Sequence, residues 1–120
     1  MNLQDVISAL DLVPLTTPIN YQIIHPVSGY ASDLLSCVMS GASKGAIWVT
    51  LQSHSNIIAV ATLLELSAVI ITENAQPDQT TIQKANDEGV ILLSTSLSSF
   101  EVSGRLWELG LHAAPPNLPI

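Results

Sequence analysis

Three runs of aliphatic, largely β-branched residues, at positions 46–51, 68–72 and 90–94, are each separated from the next by a helix-length segment. Runs without polar alternation are what a parallel sheet covered on both faces requires. Strands alternating with helices at this spacing imply right-handed βαβ crossovers. The expected fold is therefore α/β, a small three-layer or two-layer domain with a mainly parallel sheet of about four strands. Residues 46–74 form one full unit: a strand, a polar corner (Gln52, Ser53, His54, Ser55, Asn56), an apolar helix and a second strand. The loop after the first strand is where such sheets place function.

The flanking segments fill in the rest. Leu3, Val6, Ile7 and Leu10 recur at helical spacing, predicting a helix over 3–10 that ends before Pro14. Residues 21–25 read as a strand stopped by Pro26. Residues 28–32 read as a turn into a helix capped by Ser32 or Asp33, carrying Leu34, Leu35, Val38 and Met39 and ending at Gly41. In the helix over 55–66, Ile57, Ile58, Val60, Ala61, Leu63 and Leu64 cover most of the circumference, so cover on more than one side is expected. A more polar helix should run from Asp78 or Gln79 to Gly89. The last helix, capped by Ser96 or Ser98 and stopped by Gly110, carries Phe100, Val102, Leu106, Trp107 and Leu109 on its apolar positions. Gly104 within it costs about 1 kcal/mol relative to Ala, which predicts a closely packed neighbouring backbone. One domain over 1–112 is expected, followed by an extended or flexible Pro-rich tail over 113–120.

Charge narrows the function classes. Only 11% of the 120 residues are charged and 48% are hydrophobic, against a usual charged share of about 25%. A surface so poor in charge favours self-association. The net charge of -7, with Lys44, Lys84 and Arg105 scattered, argues against nucleic acid and against anionic membranes as partners. Cys37 is the sole cysteine, so the sequence offers no internal disulfide and no multi-cysteine metal site, which fits a reducing cytoplasm. Its neighbours Leu35, Val38 and Met39 make it a small core residue. The first five residues lack the basic n-region of a signal peptide. The most apolar run, 57–71, is interrupted by Thr62, Glu65 and Ser67 and is too short to cross a bilayer as a helix.

The corner from Gln52 to Asn56 brings a hydroxyl, an imidazole and amides beside a helix N-terminus, where an anion or phosphate can be held. The other reading is that Ser53 or Ser55 caps the helix and His54 is an exposed or interface residue. A triad from Ser32 or Ser53 with His54 and Asp33 lacks a Gly-x-Ser-x-Gly elbow. His25, His54 and His112 lack metal-site spacing, and no cofactor is expected. The stretch from Gly41 to Gly45 has the wrong order for a phosphate loop and leads into a strand. Asp87, Glu88, Glu101 and Glu108 read as solvated surface. Trp107, on the same helix as Phe100, is a candidate for a dimer contact, with core packing as the alternative for it and for Trp48.

Gly29-Tyr30-Ala31-Ser32-Asp33-Leu34-Leu35-Ser36, the run from Trp48 to Ala61, Ala68-Val69-Ile70-Ile71-Thr72 and Gly89-Val90-Ile91-Leu92-Leu93-Ser94-Thr95-Ser96 resemble, in order, the DRTGG domain family. The resemblance spans Leu3 to about Leu111 and is to the stand-alone form of a domain that elsewhere is an accessory module of long phosphate acetyltransferases and of regulated pyrophosphatases. It is similar in fold to the N-terminal domain of HPr kinase/phosphorylase. The resemblance implies a small α/β regulatory domain without catalysis of its own, pairing as a homodimer and accompanying redox or iron-hydrogenase systems. It places the family's Asp-Arg pair near Ser53 and His54 and its Thr-Gly-Gly near Thr72, Glu73 and Asn74, so that only Thr72 is kept. With the corner, Thr72 completes the implied ligand-binding set.

Overall fold

The β-branched runs take the centre of the molecule. In the computed structural model, which describes residues 1–115, the chain runs α1 (Leu3–Leu10), β1 (Val13–Pro14), a 3-10 turn (Tyr21–Ile23), β2 (Ser28–Ala31), α2 (Leu35–Gly41) and β3 (Ala46–Thr50). It continues through α3 (Asn56–Leu64), β4 (Ala68–Ile71), α4 (Gln79–Glu88), β5 (Leu92–Ser94) and α5 (Ser99–Glu108). Every residue of β3, β4 and β5 is buried. The sheet order is β1-β5-β4-β3-β2; β2 to β5 are parallel and β1 runs antiparallel to β5. The four-stranded parallel core matches the sequence expectation, with an added edge.

Alternation along the strands sorts the core into two halves. Trp48, Val69, Ile71 and Leu92 pack with Val38 of α2, with Ile57, Ile58, Val60 and Ala61 of α3, and with Ala85 of α4. Ile47, Val49, Ala68, Ile70 and Leu93 pack on the other side with Leu3, Val6, Ile7 and Leu10 of α1 and Val102 and Leu106 of α5. The domain is thus a three-layer sandwich. Its helix ends are set locally: Asn2 and Asp5 form a reciprocal capping box on α1, Asp78 caps α4, and Ser98 caps α5.

Several expectations change. Residues 21–25 do not form a strand, because the Asn20 side chain accepts from the Gln22 N–H and turns the chain while Tyr21 enters the core. The strand lies further on, at β2, where pairing of Ser28 to Ala31 with Ala46 to Val49 overrides the turn preference of Ser and Gly. Neither Ser32 nor Asp33 caps α2; its first flanking residue is Leu34, with no side-chain cap. On α2 only Val38 is buried, so Cys37 is exposed rather than a core residue. Leu63 leaves one side of α3 uncovered, being 66% exposed. On α5, Phe100 is 90% and Trp107 57% exposed, outside the core that Val102 and Leu106 enter. A Cβ at Gly104 would meet no atom within 4 Å, so no neighbouring backbone accounts for this glycine within the single chain. Of the expected tail over 113–120, residues 116–120 lie outside the described residues.

Candidate functional site

Parallel strands in consecutive order bring successive strand exits and helix starts side by side. At the exit of β3, Thr50 is fully buried and its hydroxyl donates to Asp33 Oδ1 at 2.9 Å; the same oxygen accepts the Leu51 N–H at 2.9 Å. The Gln52 amide donates to the Asp33 carbonyl at 3.0 Å, and the Gln52 N–H to Thr50 Oγ1 at 3.1 Å. Gln52 therefore fastens the corner to the entry of α2.

The corner then turns into α3. Ser55 stands at the N-cap without a side-chain bond, and His54 takes that role: its Nδ1 accepts the Asn56 N–H at 3.3 Å. That bond places the ring proton on Nε2, free to donate. Ser53, His54 and Ser55 share a cleft of about 310 Å³ with Gln76, Asp78, Thr80 and Thr81, where α4 begins. The backbone N–H of Thr81 first, then its hydroxyl, hold the Asp78 carboxyl below the usual carboxylate range; His54 adds to this and desolvation opposes it. The cleft therefore combines hydroxyls and one amide with one negative charge and one imidazole. Of the six sequence candidates, Ser53, His54 and Ser55 come together in it, and Asn56 supplies the backbone donor to His54. Gln52 is committed to Asp33, and Thr72 lies apart. The sequence reading missed Gln76, Asp78, Thr80 and Thr81, although the capping Asp78 marks a second helix start beside the first.

Thr72 sits at the exit of β4, fully buried, with its hydroxyl 2.6 Å from Ser99 Oγ. The next two residues, Glu73 (φ 60°) and Asn74 (φ 57°), are both left-handed. These are the positions where the resemblance puts two glycines, the residue that takes this conformation freely. Their N–H groups donate to the carbonyls of Leu97 and Thr95 at 2.9 and 3.0 Å, and Glu73 Oε2 accepts the Ser99 N–H at 3.0 Å. The chain leaves β4 for α4 on one face of the sheet and leaves β5 for α5 on the other, the arrangement that opens a binding crevice in doubly wound sheets. Here the Glu73 and Asn74 N–H groups bridge the two strand exits.

A second hollow of about 170 Å³ lies between α5 and the β2–β3 edge, lined by Gly29, Ala31, Val49, Leu106 and Leu111 and walled by Trp107, whose ring stacks on His112 with centroids 4.3 Å apart. Its lining is almost entirely apolar. No helix among the described residues is long and apolar enough to cross a membrane.

The DRTGG domain family profile matches residues 33–109. Among solved structures, the chain is similar to the CBS and DRTGG domains of the regulatory region of Clostridium perfringens pyrophosphatase, in complex with its activator diadenosine tetraphosphate. The TM-score is 0.71 at 19% identity, over 98% of this chain and 52% of that one, a likeness of fold. No curated protein matches the sequence.

Proposed function

Because the chain belongs to the DRTGG domain family, we propose that it is a regulatory module without catalysis of its own, that it works as a homodimer, and that its corner reads a small anionic metabolite or nucleotide. The observation that carries the regulatory reading is the family match over residues 33–109. The polar cleft is the one between the starts of α3 and α4. Its donors are the Nε2 of His54 and the hydroxyls of Ser53, Ser55 and Thr80; its charged acceptor is Asp78, while the Gln76 amide donates to Asn74. A bare phosphate would face the Asp78 carboxylate unfavourably. A nucleotide offers that carboxylate hydroxyl or amino hydrogens while its phosphate meets the hydroxyls and His54, so this class fits better. The related regulatory region carries a dinucleotide activator, which supports the same class. Association with a redox or hydrogenase system is part of the same proposal, and the family resemblance is what supports it.

Thermal-shift measurements with inorganic phosphate, acetyl phosphate, ATP, AMP and diadenosine tetraphosphate test this reading. A ligand at a hundred times its Kd adds about 2.7 kcal/mol of stability. A nucleotide should raise the melting temperature and His54→Ala should abolish the rise; no response to any of the five compounds would refute the sensor.

A further inference from the structure

Helix α5 presents a stripe that its own domain covers only at one end, where the Trp107 ring stacks on His112. Phe100, Gly104 and Trp107 stand at i, i+4 and i+7, hence on one face; the two aromatics are exposed and nothing approaches the site of a Gly104 Cβ. A glycine inside an exposed helix weakens that helix, and the single chain returns nothing for it. Beside the stripe, Glu101 and Arg105 form an ion pair at 3.1 Å, and Arg105 is one of three cations in a chain of net charge -7.

We propose that α5 is the surface through which two copies pair, crossing antiparallel with Gly104 at the closest approach and Phe100 of one copy against Trp107 of the other. Four features support a second copy as the occupant. A two-fold axis through the stripe brings its ends together, aromatic on aromatic, as an isologous contact requires. The small residue at the crossing lets the helix backbones approach closely. The same axis sets Glu101 of each copy toward Arg105 of the other, so the charges are complementary across the contact. Two strongly acidic chains repel, and a face holding one of the few cations limits that cost. This inference rests on the homodimer reading above and adds where the contact lies.

Sedimentation equilibrium on the full chain tests it, with circular dichroism confirming that each variant is folded. Phe100→Glu and Gly104→Ala should each raise the dimer dissociation constant about tenfold or more. Gly104→Ala is the sharper variant, because helix propensity predicts a higher melting temperature for the isolated chain while the filled slot predicts weaker pairing. Arg105→Glu should weaken association, and combining it with Glu101→Arg should restore it. A wild-type dimer unaffected by these changes would overturn the α5 contact and leave the homodimer standing. A wild-type chain monomeric at every concentration would overturn both.

Discussion

The Asp33 carboxylate and the Thr50 hydroxyl are 2.9 Å apart, and this bond joins the entry of α2 to the end of the interior strand β3. The same Oδ1 holds the Leu51 N–H. Asp33→Ala should therefore destabilise the fold by about 1–3 kcal/mol, since it strips a partner from a buried hydroxyl and from a backbone donor. Asp33→Asn, which keeps an acceptor oxygen, should cost less. Urea unfolding of the two variants measures the difference.

Left-handed backbone at Glu73 and Asn74 makes a second prediction. Asn74→Ala should cost about 1 kcal/mol, because an alanine pays the full steric penalty of that conformation, whereas Asn74→Gly should not destabilise. Glu73→Gly relaxes the backbone but gives up the Glu73 bond to the Ser99 N–H, so it should prove less favourable than Asn74→Gly. Equilibrium denaturation distinguishes the three.

Asp78 sets a pH dependence. Its folded pKa lies below the ordinary aspartate value, so it adds stability that is complete above that value and is lost as pH falls from there through the folded pKa. Asp78→Asn retains a good capping side chain and should flatten this acid limb. Melting temperatures of wild type and variant between pH 5 and about 2 read it directly.

Cys37 is exposed on α2, so the folded chain should present one thiol that reacts with a disulfide reagent at close to its unfolded rate. A thiol that reacts only on unfolding would contradict this placement.

How far the sequence could be read follows physical lines. The buried strands were legible because two-sided burial demands continuous β-branched runs, and the helices α1, α4 and α5 because their caps and stops are local. Strand β2 was not, since Ser28, Gly29 and Ala31 carry a turn-like composition and become a strand only through pairing with β3. Strand β1 is two residues long and contains Pro14, which an edge tolerates. At the corner, Ser53, His54 and Ser55 were identifiable, but the α4 half of the cleft arrives through strand order, which no local pattern encodes. Cys37 misled because an apolar neighbourhood in sequence does not say which side of a helix the sheet covers; for Trp107 a dimer contact and core packing both stood open, and its exposure removes the second.

Under the proposed function, the cleft between the starts of α3 and α4 is where a ligand would bind. An amide-resolved NMR titration of the wild-type chain with ATP and with diadenosine tetraphosphate tests this directly. The predicted result is saturable shifts confined to the backbone of residues 53–57 and 78–82, abolished by His54→Ala. Shifts centred elsewhere, such as around Trp107 and His112, or none with either compound, would contradict it.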